Sequence, residues 1–150
     1  IRQLMPWHEN LSKRQVKAPK IYFRDSGILH QLLSLPDFQT LTGHPRVGAS
    51  WEGFALEQTL NVLETKQVYF WSTYSGAELD LFFLQGGRRY GVEFKYSEAP
   101  IVTKSIRSAL ETLKPDHLWI VYPGAAKYPV HEKITVLPLK DIGVLKLPSR

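Results

Sequence analysis

Two carboxylates in this 150-residue chain stand where apolar side chains are expected. Asp80 interrupts Leu79-Asp80-Leu81-Phe82-Phe83-Leu84, a run apolar on both alternating faces and therefore expected as a central strand covered from both sides. Glu93 sits between Val92 and Phe94, and Lys95, two residues on, projects from the same face of its strand. Burying a carboxylate is costly unless something compensates it. Gly86-Gly87 sets the relation between the strands. A two-residue bend there pairs Gln85 with Arg88, and stepping back from it brings Asp80 opposite Glu93 and Glu78 opposite Lys95. Opposed side chains have Cβ atoms roughly 4.5–5.5 Å apart. Two like charges that close in a partly dry site repel, so either one carries a proton or a cation sits between them. A divalent ion is the simplest resolution, and oxygen-only ligands with no neighbouring His or Cys point to a hard one, Mg²⁺ before Mn²⁺.

Helical arithmetic selects a third carboxylate. At about 100° per residue, Leu56, Leu60, Leu63, Ala55 and Val62 all fall around Glu52, which lies in the middle of the apolar face, whereas Glu57 falls roughly 140° away beside Asn61 and Glu64. Glu52 is therefore expected to face the sheet and Glu57 to face solvent; the alternative for Glu52 is a buried pair with a Lys or Arg. Three carboxylates and a lysine around a metal suit phosphodiester hydrolysis. Asp80 and Glu93 hold the ion, Glu52 supports it with Glu78 nearby, and Lys95 orients water or offsets charge in the transition state. The competing reading is a buried ionic ladder of Asp80, Glu93, Lys95 and Glu78 with no catalysis.

The elements that must position these groups follow from the punctuation. Ser50 is expected to cap a helix running to about Thr65. Val68 to Thr73, Ala77 to Gln85 and Arg88 to Tyr96 are expected strands, Ile106 to Leu113 a helix ended by Pro115, and His117 to Tyr122 and Ile134 to Leu139 two further strands. The order helix, three strands, helix, two strands gives a mixed α/β plan in which a strand after the second helix lies parallel to an earlier one. Before this lies a basic stretch, with Lys13, Arg14, Lys17, Lys20 and Arg24 against two acidic residues, Glu9 and Asp25, in the first 35. It is followed by a short strand-like Ile21-Tyr22-Phe23 and a helix over Ile28 to Leu33, capped by Asp25 and stopped by Pro36. The basic stretch reads as a solvated face or as a nucleic-acid contact.

These residues carry a resemblance. Glu52, Asp80 and Glu93-Phe94-Lys95 on helix, strand and strand look like the PD-(D/E)xK core of restriction enzymes and Holliday-junction resolvases, with Leu79 where that pattern has Pro. Lys17 to Gly27, Gly48 to Phe54, Trp71-Ser72-Thr73 and Gly76 to Asp80 are similar to the C-terminal domain of unknown function found in predicted bacterial and archaeal AAA+ ATPases. The resemblance implies a restriction-endonuclease-like mixed sheet flanked by helices and a cytoplasmic protein with an N-terminal ATPase module. On that reading residues 1–47 are a basic segment packed on the core and linking it to the missing module, and residues 48–150 are the nuclease-like domain. The start at Ile1-Arg2-Gln3, without Met or a signal segment, fits a piece of a longer chain.

Composition bounds the partners. Nineteen Lys and Arg against fourteen Asp and Glu leave a net charge of +5, which favours DNA, and Lys104 and Arg107, together with Lys13 and Arg14, are the candidate phosphate contacts. Lys104 and Arg107 read equally well as a solvated face. No apolar run approaches the roughly twenty residues of a membrane span. The absence of cysteine removes disulfides and thiolate metal sites. No Gly-x-x-x-x-Gly-Lys-Ser/Thr loop is present, the histidines lack ligand spacing, and the serines lack a nucleophile elbow. The aromatics are expected mostly in the core, with Tyr74 and Tyr96 beside turns as exceptions available for base stacking.

Overall fold

A computed structural model describes residues 1–9 and 18–146; Lys13, Arg14 and Lys17 of the basic stretch lie outside the described residues. Strands β1 (Arg2–Leu4) and β2 (Lys20–Tyr22) form an antiparallel pair, followed by two short helices, α1 (Ser26–Leu32) and α2 (Phe38–Thr42), and by the long helix α3 (Val47–Val62). Next come β3 (Val68–Ser72), β4 (Glu78–Gln85), β5 (Arg88–Phe94), α4 (Lys104–Leu113), β6 (His117–Tyr122), β7 (Tyr128–His131), β8 (Ile134–Pro138) and a closing 3₁₀ helix, Leu139–Leu145.

Six strands make one mixed sheet in the order β3-β4-β5-β6-β8-β7. The meander β3 to β5 is antiparallel, α4 crosses over so that β6 runs parallel to β5, and β8 runs parallel to β6. That is the expected mixed α/β plan with helices on the sheet, plus elements the pattern did not announce. β7 is an extra edge strand antiparallel to β8, and α2 and the 3₁₀ helix are likewise additions. β7 is short and carries Pro129, which hides a strand signal; its edge position tolerates the missing N–H.

The sheet is covered on both faces. Ala55 and Leu56 of α3, with Ile142 and Leu145 of the 3₁₀ helix, pack against Leu81, Phe83, Val92 and Val121. Ile106, Ala109 and Leu113 of α4 pack against Phe82, Leu118, Ile120 and Val136 on the other face. The double cover explains why β4 reads as a continuous apolar run: Leu79, Leu81, Phe82 and Phe83 are all fully buried.

Local signals account for most helix ends. The Asp25 carboxylate accepts the Gly27 and Ile28 N–H groups at the start of α1, and the Thr103 hydroxyl accepts that of Ile106 at the start of α4. Ser50 is not a cap. α3 begins a turn earlier at Val47, so Ser50 lies inside it, buried, with its Oγ 2.6 Å from His30 Nε2 on α1. Among the described residues no helix is long and apolar enough to cross a membrane.

Candidate active site

The Gly86-Gly87 bend brings the central groups together. Both glycines have positive φ, 59° and 73°, the backbone that a two-residue hairpin requires. The β4–β5 ladder runs in the expected register from Gln85↔Arg88 to Leu81↔Val92. Beyond that it departs from the regular pattern. Leu79 packs with the α4-side cluster whereas Leu81 and Phe83 pack with the α3-side cluster, although residues two apart on a strand normally share a face. The strand therefore turns over around Asp80. Instead of facing Glu93 as a ladder partner, Asp80 uses its Oδ2 to accept the Phe94 N–H at 2.9 Å. Glu78 is likewise not held against Lys95; its Oε2 lies 3.5 Å from Lys20 Nζ.

Asp80 and Glu93 are both buried. The Glu93 carboxyl is pushed up to about 8 by burial first and by Asp80 second, outweighing Lys95, whose Nζ sits 2.7 Å from Glu93 Oε1. The other oxygen, Glu93 Oε2, is buried without a hydrogen-bonding partner. Asp80 is also raised above the usual carboxylate range, by burial, against the opposing pull of Lys20 and the Phe94 N–H. Glu52 arrives from α3, half-buried, and accepts a 2.8 Å hydrogen bond from the Tyr22 hydroxyl. Burial and then Asp80 raise its carboxyl too. Lys95 stays firmly charged: burial opposes the charge, but Glu93, Asp80 and Glu52 together outweigh it. The four expected groups thus act on one another electrostatically.

Two members of this group come from β2 and were not singled out by the sequence pattern. Lys20 Nζ lies 3.6 Å from Asp80 Oδ1 as well as beside Glu78, and Tyr22 carries the hydroxyl bound to Glu52. Residues two apart on a strand share a face, so Lys20-Ile21-Tyr22 was the available signal. Glu57 requires a correction. It is buried rather than solvated, gripped by Arg2 of β1 through Nε at 2.6 Å and Nη2 at 3.0 Å, with Arg24 Nε at 3.6 Å. The N-terminal strands wrap the side of α3 that helical arithmetic left to water. Lys104 and Arg107 are exposed on α4, which covers the face opposite α3. Tyr74 and Tyr96 are exposed beside their turns, and the Tyr96 ring lies 6.0 Å from that of Trp51.

The oxygen donors are of the kind a hard cation selects, and Glu93 Oε2 is an orphaned acceptor among them. Among the described residues, however, no group of three or more His, Asp or Glu side chains is placed to hold a metal ion. The ammonium groups of Lys20 and Lys95 stand against the carboxylates instead.

Comparison with known proteins places the chain in a family. Residues 47–142 match the model described as "Domain of unknown function (DUF4143)". This chain belongs to that family. Residues 1–39 match a second model, "Domain of unknown function (DUF8612)". The chain is 45% identical over 142 residues to "Uncharacterized protein Rv2008c" of Mycobacterium tuberculosis (strain ATCC 25618 / H37Rv) and, to the same extent, to "Uncharacterized protein Mb2031c" of Mycobacterium bovis (strain ATCC BAA-935 / AF2122/97). The alignment covers 95% of this chain but 32% of each relative, so the chain spans about a third of their length. No solved structure matches. The DUF4143 match takes in Glu52, Asp80, Glu93 and Lys95, whereas Lys20 and Tyr22 fall in the DUF8612 match.

Proposed function

We propose that this chain is a nuclease-like domain of the PD-(D/E)xK type that hydrolyses phosphodiester bonds in DNA with Mg²⁺ or Mn²⁺, working as the C-terminal part of an AAA+ ATPase. The observation that carries the reading is Glu93: a buried carboxylate with one oxygen unpartnered, next to Asp80, with the Lys95 ammonium 2.7 Å from its other oxygen. Asp80 and Glu93 would hold the ion and Glu52 would support it. A bound divalent cation supplies Lewis-acid polarisation of the phosphoryl group. Lys95, with its side chain 39% exposed, is open to solvent and can offset charge on the phosphate or orient the attacking water. Asp80 is pinned by the Phe94 N–H and Glu52 by the Tyr22 hydroxyl, so both carboxylates present fixed oxygens. The net charge of +5 and the exposed Lys104 and Arg107 suit a polyanionic partner.

A second reading is a catalytically silent module of the same fold that binds DNA or a protein and regulates the ATPase. It is favoured by Lys20, which already neutralises Asp80 and Glu78. Cleavage assays on branched, nicked and linear DNA, with and without ATP, separate the two. Under the first reading Mg²⁺ or Mn²⁺ supports cleavage, and Asp80→Ala or Lys95→Ala lowers it at least about a hundredfold. Cleavage that survives both substitutions, or calorimetry that detects no divalent-ion binding, hands the argument to the second reading.

A further inference from the structure

We propose that Lys20 is a functional member of the carboxylate site: its ammonium is a built-in counter-ion that holds Asp80 and Glu78 in the metal-free protein and gives way when a divalent cation enters. This rests on the divalent-cation reading above and adds to it a residue from outside the DUF4143 match. Asp80 has two carboxylate oxygens with separate duties. Oδ2 takes the Phe94 N–H, which leaves Oδ1 for a cation, and Lys20 Nζ faces it at 3.6 Å. The same nitrogen is 3.5 Å from Glu78 Oε2 and 5.4 Å from the centre of the Phe70 ring. Charge-assisted N–H···O bonds run to about 2.7–2.9 Å. Lys95 meets that standard against Glu93 at 2.7 Å, and Lys20 does not. Lys20 is thus held mainly by the pooled field of its acids, with only a long 3.5 Å contact to Glu78 to keep it in place.

A hard divalent ion has a different demand. Mg²⁺ needs oxygens at about 2.0–2.1 Å, so an ion on Asp80 Oδ1 and an ammonium on the same atom would be two cations in near contact. One must leave. The lysine can, because its side chain is 26% exposed and so has a route to water. The strand that carries it need not move. β2 is paired with β1, and Tyr22, on the same face as Lys20, is tied to Glu52 at 2.8 Å. Displacement is therefore a side-chain event, and it frees Asp80 Oδ1 and Glu78 Oε2, the two carboxylate oxygens that face the Lys20 ammonium. Lys20 sets how strongly the site retains its metal, and the N-terminal strands become part of the active site.

The test compares Mn²⁺ binding by calorimetry to the wild-type protein, Lys20→Met and Lys20→Arg, with acetylation of Lys20 in the wild type followed by mass spectrometry as Mn²⁺ is added. Removing the competing charge should tighten Mn²⁺ binding about tenfold in Lys20→Met, the scale of one unit charge a few ångström away at a protein surface. Lys20→Arg should bind no more tightly than wild type, and Lys20 acetylation should rise severalfold with Mn²⁺. If the wild type binds Mn²⁺ and Lys20→Met binds equally or less tightly, this inference falls while the divalent-cation reading stands. Should Lys20→Met fail to fold, acetylation in the wild type decides: labelling that is unchanged or reduced by Mn²⁺ overturns the proposal. If none of the three binds Mn²⁺, the divalent-cation reading falls and takes this inference with it.

Discussion

A carboxyl group held near 8 inside a folded protein leaves a signature in pH. Glu93 rises from 4.5 to about 8 on folding, through burial and the neighbouring Asp80. Between those values the folded chain binds more protons than the unfolded one, so in chelator stability falls as pH climbs from about 5 to 8. Scanning calorimetry should show Tm dropping across that window, with the slope reduced but not abolished in Glu93→Gln because Asp80 and Glu52 are raised on folding too; a flat or rising Tm in the wild type would contradict the protonated, buried Glu93. At Glu57 the substitution to Gln breaks a buried, bidentate, charged contact with Arg2 and should cost about 1.5–3 kcal/mol in denaturant unfolding, against near-neutrality if Glu57 were solvated. These residues also mark what the sequence made legible. Asp80 and Glu93 stood out because a charge inside an apolar strand breaks a pattern, and Glu52 because it breaks an apolar helix face. Lys20 and Tyr22 lie in a three-residue strand, where the apolar run is too short to set an alternation that a charge would break. Glu57 escapes the pattern for a related reason: helical arithmetic shows which face is apolar, but not that an arginine 55 residues away covers the other side.

Among the elements, the β4–β5 hairpin was the most legible because two adjacent glycines and strict pairing leave little freedom in register. Its end was not, since the overturn of β4 around Asp80 depends on which cluster captures Leu79, a tertiary matter. The bend itself is testable. With φ at 59° and 73° and open space around both positions, Gly86→Val should cost about 1–2 kcal/mol through backbone strain, while Gly86→Asn should cost markedly less because Asn tolerates left-handed backbone. Equal losses in the two variants by chemical denaturation would argue against this turn. Gly91 has a different constraint. A Cβ there would meet Leu79 Cδ2 at 3.0 Å and Leu118 Cδ1 at 3.2 Å, so the glycine lets the β5 backbone lie under apolar side chains on the α4 side. Gly91→Val should destabilise by about 1–3 kcal/mol through overpacking, and a neutral result would show that these leucines repack freely. β7 and α2 were illegible because their lengths fall below the reach of periodicity, whereas α1, equally short of a clear period, was legible from its Asp25 cap.

At the scale of the whole molecule, two family models divide the chain near residue 40, yet the physical connections cross that line. Leu4 is buried in the cluster beneath α3, Arg2 neutralises Glu57, and Tyr22 and Lys20 reach Glu52 and Asp80. The backbone crosses as well: Phe70 N–H donates to Met5 O at 3.0 Å and Trp7 N–H to Phe70 O at 2.7 Å, so residues 5–7 shield the β3 edge of the sheet. A fragment that starts at residue 47 would open that edge, uncover the apolar surface that Leu4 protects and return Glu57 to water without its guanidinium partners. Each loss has a known scale, about 2–5 kcal/mol for a buried leucine and about 1.5–3 kcal/mol for the charged contact of Glu57. Together they approach the roughly 5–15 kcal/mol that holds a domain of this size. Residues 47–146 expressed alone should therefore lack a cooperative thermal transition and associate through the exposed β3 edge. Adding a peptide of residues 1–46 in trans should restore part of the transition. A sharp, unassisted unfolding transition of the shorter fragment, at the midpoint of the whole chain, would show that the N-terminal strands are accessories and not part of the core that builds the site.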